Sequence, residues 1–233
     1  MIPFDRLWEQ YKRIIKPNGA IALFGSQPFT SALVMSNPKW FKYEWIWDKT
    51  FGSDFLNAKN KPMKSHENIC IFSGGTTANK SPNKMIYYPQ MKKGLPYKKI
   101  QRSESRKGIA EAGNRTPFAI GYKWINEGER YPISVYRFSK TRETRDHPTQ
   151  KPVSLIEYLI KTYTQEGELI LDNTAGSGTL AIAAINTNRR YICIEKDPHY
   201  FQVSCDRVAN HDPNAPIKIK KPPRVPKGQL ALF

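Results

Sequence analysis

Residues 169–181, LILDNTAGSGTLA, combine a short apolar strand, a glycine-containing turn and the start of an apolar helix. Gly176 and Gly178 allow the backbone to turn tightly and to approach a ligand closely. The helix that begins after them points the positive end of its dipole and its unpaired N–H groups at the same place. The stretch therefore predicts a ligand site at the end of the strand.

The next strand supplies a carboxylate, Glu195, 23 residues after Asp172. A carboxylate at that distance is suited to accept both hydroxyls of an adenosine ribose. The glycine pattern of residues 176–181 also fits a nicotinamide-dinucleotide fold, and a plain tight turn without a ligand is a third interpretation. Asp172 and Asn173 favour S-adenosylmethionine, because they can bind the ammonium of an amino-acid moiety, which a dinucleotide lacks.

On either side of this stretch, helix and strand alternate along the chain, which predicts an α/β sheet. An amphipathic helix is expected over residues 5–16, and a second helix follows the turn 25–28 and runs through Val34. Strands are expected over residues 20–24, 43–47 and 68–72. Regular patterning fades between residues 74 and 146 and resumes over 153–163, 169–171, 180–186, 191–195 and 200–208. The tail from His211 is rich in proline and lysine and is predicted to be extended.

The charge of the chain favours a polyanionic partner. Lys and Arg number 37 against 20 Asp and Glu, a net charge of +17. We expect nucleic acid and not a membrane surface, since no basic amphipathic helix stands out and no run approaches the ~18 apolar residues of a membrane span. The three cysteines and four histidines show no metal-ligand spacing, so no metal is predicted. A cytoplasmic location is expected.

The glycine turn is preceded by His147-Pro148-Thr149-Gln150-Lys151-Pro152, and together they closely resemble the β-class amino-methyltransferases of DNA, which modify adenine N6 or cytosine N4. The resemblance covers about residues 5–73 and 130–208. It implies a Rossmann-like S-adenosylmethionine-dependent methyltransferase fold, a mixed sheet with helices on both faces. It also implies a domain order: an incomplete catalytic half (1–73), an irregular target-recognition insert (74–146), a cofactor half (147–210) and the basic tail (211–233).

The same resemblance assigns the cofactor site residue by residue. Segment 147–152 is expected to cover the methionine end of S-adenosylmethionine, and Glu195 to bind its ribose. The expected cofactor-binding residues are His147, Pro148, Thr149, Gln150, Lys151, Asp172, Asn173, Ala175, Gly176, Gly178, Thr179 and Glu195.

The chain lacks the catalytic loop that the resemblance leads us to expect, an Asp/Asn/Ser-Pro-Pro-aromatic tetrapeptide. The nearest imitation is Ser26-Gln27-Pro28-Phe29, and we interpret it as a helix-starting turn in preference to a catalytic loop made by Ser26, Pro28 and Phe29. We therefore expect the chain to lack an N-terminal segment. Removal of its strand would leave an open slot between strands 20–24 and 169–171.

The insert is expected to bind double-stranded DNA. It holds 16 Lys and Arg against 6 Asp and Glu. The candidates for phosphate contacts are Lys92, Lys93, Lys98, Lys99, Arg102, Arg106 and Lys107. A solvated charged loop is the alternative.

The last five residues, Gln229-Leu230-Ala231-Leu232-Phe233, closely resemble the short peptide with which bacterial proteins dock on the replicative sliding clamp. Gln229, Leu230, Leu232 and Phe233 are the candidate contacts, and an apolar terminus that packs on its own domain is the alternative.

The sequence thus predicts a DNA methyltransferase of a phage or bacterial modification system that methylates an exocyclic amine, with adenine N6 preferred over cytosine N4. A catalytically inactive relative that binds DNA and cofactor is the second hypothesis, and a nicotinamide-dependent oxidoreductase is the third.

Overall fold

The computed structural model describes residues 3–100, 123–139 and 150–213. Helix and strand alternate as the sequence predicts, and the small strands of the insert lie between two α/β halves. The helices are α1 (Phe4–Ile14), α2 (Phe29–Ser36), α3 (Val153–Tyr163), α4 (Thr179–Asn186) and α5 (Pro198–Ala209). The strands are β1 (Ala20–Gly25), β2 (Phe41–Ser53), β3 (Lys64–Ser73), β4 (Lys92–Lys93), β5 (Tyr97–Ile100), β6 (Lys123–Asn126), β7 (Glu129–Arg130), β8 (Val135–Arg137), β9 (Leu169–Asp172) and β10 (Arg190–Cys193).

The main sheet has the strand order β1-β3-β2-β8. β3 runs antiparallel to both β1 and β2, and β8 runs parallel to β2. Successive side chains of β3 point to opposite faces. Ile69 and Ile71 face the cluster built with α3, while Cys70 and Phe72 face the cluster built with α1 and α2. The continuous apolar run of β3 is therefore explained by burial on both faces.

The cofactor half is built on a second, two-stranded sheet in which β9 and β10 run parallel. Ile170 and Tyr191 pack on the cluster of α3 and α4. The other face of this sheet is apolar but exposed, through Leu169, Leu171, Ile192 and Ile194. Helices thus cover one face of β9–β10 and leave the opposite face in contact with solvent.

The two sheets are not joined by strand pairing. Within the described residues β1 pairs with β3 alone and β9 pairs with β10 alone. The strands at residues 20–24 and 169–171 thus do not pair with each other, as the prediction of an open slot between them requires. Side-chain links join the two sheets on the side of α1: the Tyr11 hydroxyl donates to Asn173 Oδ1 at 3.1 Å, and Lys16 pairs with Glu168.

Parts of the region 74–146 pack with the main sheet. Met85 is buried in the cluster of Trp45 and Trp47, and β8 adds a strand beside β2. Between these parts lie two small antiparallel ribbons, β4–β7 and β5–β6. The part of the insert that stands apart from the core is therefore shorter than the irregular composition indicated. No helix in the described ranges is long and apolar enough to cross a membrane.

Candidate functional site

The turn between β9 and α4 has the backbone conformation that its glycines predict. Gly176 has φ 53° and Gly178 has φ 72°, both in the left-handed region that favours glycine. A Cβ on Gly178 would lie 2.9 Å from the Cβ of Ser204 on α5, so this turn also requires a close approach between backbone and helix. The glycine pair thus fixes both the shape of the turn and its packing.

Helix α5 holds the turn from behind. Arg207 Nη1 donates to the Ser177 carbonyl at 3.1 Å and to Thr179 Oγ1 at 3.1 Å. The Ala175 N–H donates to the Ile194 carbonyl at 3.0 Å, which joins the turn to the end of β10. Thr179 and Ala175 are buried. Of the predicted cofactor residues, these two therefore support the turn, and Arg207 is a supporting residue that sequence analysis missed.

Glu195 lies beside the turn, as predicted, but β10 does not end there. The strand ends at Cys193. The Ile194 carbonyl after it accepts a hydrogen bond from the Ala175 N–H, and the chain then bends toward α5. The Asp197 N–H donates to Glu195 Oε1 at 3.0 Å, and the Gly176 N–H donates to Oε2 at 2.8 Å. These backbone hydrogen bonds, that from Asp197 first, hold the pKa of Glu195 below its ordinary value. The carboxylate is thus fixed in place and ionised.

Asp172 ends β9 and is half-buried. Burial raises the pKa of Asp172, and this outweighs the hydrogen bond that the Thr174 N–H donates to Oδ1 at 3.0 Å. A cationic partner would favour the charged form of such a carboxyl group. Asn173 is held by Tyr11 of α1. Sequence analysis placed Tyr11 on the apolar face of a helix and missed this contact.

Lys151 lies near residues of both the main sheet and the β9–β10 sheet. Its ammonium lies 5.1 Å from the centre of the Phe24 ring at the end of β1, and its charge also acts on Asp172. Glu67 Oε2 lies 3.4 Å from Lys151 Nζ, while Glu67 Oε1 lies 2.5 Å from Lys49 Nζ. Although burial raises the pKa of Glu67, the two lysines outweigh it and hold that pKa below its ordinary value.

Sequence analysis missed Glu67 and Lys49. Glu67 precedes the apolar run of β3, and Lys49 follows the apolar run of β2. Of the predicted covering segment, Gln150 and Lys151 are described, whereas His147, Pro148 and Thr149 lie outside the described residues.

The turn Ser26–Phe29 starts a helix, as the preferred interpretation predicts. α2 begins at Phe29, and the Thr30 N–H donates to the Ser26 carbonyl at 3.2 Å. The Phe29 ring packs 5.9 Å from that of Phe4, in the cluster of α1 and α2. The aromatic side chain is thus engaged in packing.

The predicted DNA-contacting lysines occupy the two ribbons of the insert. Lys93, Lys98 and Lys99 are exposed on β4 and β5. Lys92 contacts the main sheet, because its ammonium lies 3.9 Å from the centre of the Tyr136 ring on β8. Arg102, Arg106 and Lys107 lie outside the described residues, as do Gln229, Leu230, Leu232 and Phe233.

These residues fit S-adenosylmethionine. The left-handed turn at Gly176 opens the backbone to a close approach, Glu195 presents fixed acceptors for ribose hydroxyls, and Asp172 presents a half-buried carboxylate for an ammonium. Gln150 and Lys151 would lie at the same edge of the sheets. When bound, the cofactor supplies an electrophilic methyl group on a sulfonium.

Comparisons with known proteins identify the family and the fold. The profile of the DNA methylases of the N6/N4 type matches residues 4–206. The type II methyltransferase M1.MboII of Moraxella bovis is 29% identical over 217 residues, which cover 85% of this chain and 76% of that protein. Among solved structures, M1.HpyAVI in complex with SAM has a TM-score of 0.56 at 20% identity, covering 88% of this chain and 84% of that one. The cytosine-N4-specific PvuII DNA methyltransferase has a TM-score of 0.58 at 13% identity, covering 90% and 72%.

The share of a relative that the alignment covers varies widely. Two other curated methylases that it matches with 42% identity are covered over only 23% and 29% of their length. The family profile, in contrast, covers residues 4–206, which include the turn at Gly176 and Glu195. The chain therefore belongs to the N6/N4 DNA methylase family.

Proposed function

We propose that this chain is the body of an S-adenosylmethionine-dependent DNA methyltransferase that methylates an exocyclic amine of a base extruded from the duplex. The observation that carries the proposal is the turn at Gly176. The N–H groups of Gly176 and Asp197 both donate to the Glu195 carboxylate and hold it beside this turn. Methyl transfer to an amine requires the base and the cofactor methyl to be held together. Lys151 lies near Phe24 of β1 and its charge acts on Asp172 of β9, at the carboxyl edge of the two sheets. We expect the base and the cofactor to be held together at this edge.

Adenine N6 is the proposed target, and cytosine N4 is the second candidate, supported by the likeness to the PvuII enzyme. The test is the transfer of labelled methyl from S-adenosylmethionine to duplex DNA, followed by digestion to nucleosides. Labelled N6-methyladenine supports the first target and labelled N4-methylcytosine the second. Binding of DNA and cofactor without transfer, even when an upstream strand and catalytic loop are supplied, would instead identify the inactive relative.

We propose that the ribbons of the insert contact DNA phosphates. Replacing Lys98, Lys99 and Arg102 with alanine should weaken DNA binding and flatten its salt dependence by about 0.9 logarithmic units of slope for each phosphate that is no longer neutralised. Fluorescence anisotropy at several salt concentrations measures both effects. A matched control replaces Lys39, Lys80 and Lys84, exposed lysines that lie outside the two ribbons. An unchanged slope in the first variant, or an equal change in the control, would refute this assignment.

We also propose that residues 229–233 dock on the bacterial sliding clamp. Leu232 and Phe233 are apolar residues of the kind that fill a pocket on a partner, and a proline-rich segment precedes them in the sequence. Deleting the five residues should abolish clamp binding in a pull-down and leave the affinity for S-adenosylmethionine unchanged. Absence of clamp binding by the intact chain would reject the proposal.

A further inference from the structure

The turn that joins β2 to β3 presents large apolar side chains to solvent. This hairpin tip, residues 50–63, exposes Phe55 at 78% and Leu56 at 95%, with Phe51 and Met63 at 43% each. Side chains of this size are seldom left in water together unless a partner covers them. Among the described residues, the tip is thus the most exposed apolar feature next to the site.

The hairpin tip is built to hold these side chains outward. Asp54 adopts a left-handed φ of 73°, and its carboxylate pairs with Lys61 Nζ at 2.5 Å and accepts from Asn57 Nδ2 at 2.7 Å. These contacts close the loop around the short 3-10 helix Phe55–Asn57. A Cβ on Gly52 would lie 2.6 Å from the Cβ of Met63, so the two sides of the tip are closely packed. Phe55 and Leu56 therefore stand at the apex of a braced loop.

The hairpin tip projects from the same edge as the candidate cofactor site. Its base is the Lys49–Glu67 ion pair, and Glu67 also pairs with Lys151, whose charge acts on Asp172. Asp48 pairs with His66 and Ser53 pairs with Lys64, and Thr50 between them has a left-handed φ of 68°, so the chain bulges here and advances only about 7 Å, two residues of β3 at ~3.3 Å per residue. The apex thus lies beyond the edge at which a substrate base must meet the cofactor.

The charge around the hairpin tip suits a polyanion. Residues 49–64 contain four lysines and one aspartate. Apolar side chains such as Phe, Leu and Met are the ones that proteins insert between base steps, where they partly unstack the duplex. Extrusion of a base leaves a gap in the stack, and a planar ring can fill it because every base has an aromatic face.

We infer that the hairpin tip is a duplex wedge: Phe55 and Leu56 enter DNA beside the base to be methylated and occupy the space that the extruded base leaves. This inference rests on the proposed function, because it takes duplex DNA as the substrate. Lys59 and Lys64 flank the wedge and face the phosphates on either side of the gap. The insert positions the duplex, and the wedge holds it open.

The test compares two short fluorescein-labelled duplexes, one intact and one with a single abasic site, which is a gap already present in the stack. The full chain should bind the abasic duplex at least about fivefold more tightly, because the wedge fills the gap without the cost of extrusion. The double variant Phe55→Ala, Leu56→Ala should lose this preference while its affinity for the intact duplex changes by less than about threefold, since phosphate contacts dominate that affinity. Phe55→Trp, which keeps a ring at the apex, should retain the preference.

Met35→Ala is the matched control, because Met35 is 72% exposed on α2 near the opposite edge of the sheet. It should behave as the unaltered chain. A preference that survives the double variant, or is absent from the unaltered chain, overturns the wedge and leaves the proposed function standing. Absence of binding to either duplex overturns both. If the double variant instead loses self-association in sedimentation, or loses binding to vesicles of anionic lipid, with its preference for the abasic duplex intact, the hairpin tip serves that other partner and the wedge is wrong.

Discussion

The 233-residue chain alone is expected to transfer no labelled methyl from S-adenosylmethionine to duplex DNA above background. The sequence contains no Pro-Pro-aromatic loop of the expected form, and Phe29, the nearest candidate, is packed against Phe4. The slot between β1 and β9 is where the strand that carries such a loop would pair. Among residues 3–100, 123–139 and 150–213, neither neighbouring strand has a pairing partner on that side, and the exposed face of β9–β10 adds an aggregation hazard.

Adding an upstream segment that contains one strand and a Pro-Pro-aromatic loop, in cis or as a separate fragment, should restore transfer. The segment with its Pro-Pro pair replaced by Ala-Ala is the control, since it can still fill the slot without restoring the loop. It should improve solubility and thermal stability but not turnover. Clear turnover by the chain without any added segment would contradict this prediction, and Ser26, Pro28 and Phe29 would then be the first residues to replace.

Gly176→Val should weaken binding of S-adenosylmethionine at least about tenfold, which corresponds to about 1.4 kcal/mol. The left-handed φ of 53° is unfavourable for a branched residue, by about 1–2 kcal/mol, and the new side chain would stand where the cofactor approaches the backbone. Glu195→Ala should also weaken binding, because it removes the acceptors that Gly176 and Asp197 hold in place. Isothermal titration calorimetry on the purified chain measures both losses.

Gly167→Val is the matched control for backbone strain. Gly167 has φ 78° at the turn before β9, and nothing lies within 4 Å of where its Cβ would be. The substitution should therefore lower thermal stability as Gly176→Val does, yet leave the affinity for the cofactor unchanged. Normal binding by both Gly176→Val and Glu195→Ala would overturn the cofactor site.

The pH dependence of this binding follows from the two carboxyl groups. Because the pKa of Glu195 is lowered, its contribution is present at neutral pH and is lost only as the pH falls through that lowered value. The pKa of Asp172 is raised by burial, so the contribution of its charged form is lost at a higher pH than that of an ordinary aspartate. Cofactor affinity should accordingly decline on the acid side as both carboxyl groups take up protons, and Asp172→Asn should remove the part of the decline that belongs to Asp172.

The elements that could be predicted from the sequence are those set by neighbours in the chain. α3 is expected over residues 153–163 and has these bounds, because Pro152 precedes it and apolar residues recur at helical spacing. The turn at Gly176 and Gly178 is likewise predictable, since only glycine adopts its conformation without strain. β2 is expected over residues 43–47 but spans Phe41–Ser53, because the hairpin partner β3 supplies hydrogen bonds to residues that have no apolar pattern.

Contacts between residues distant in sequence depend on how the elements pack together. Tyr11 meets Asn173 across 162 residues, and Glu67 brings together Lys49 and Lys151. β8 joins the main sheet although its segment has the composition of an irregular insert. Local periodicity and turn chemistry indicate which face of an element is apolar, but not which element packs beside it. Strand order decides that. The sequence therefore sufficed for the family resemblance, the turn at Gly176 and the expectation of a slot beside β1, whereas the ion pairs around Glu67 and the direction of the hairpin tip required the folded chain.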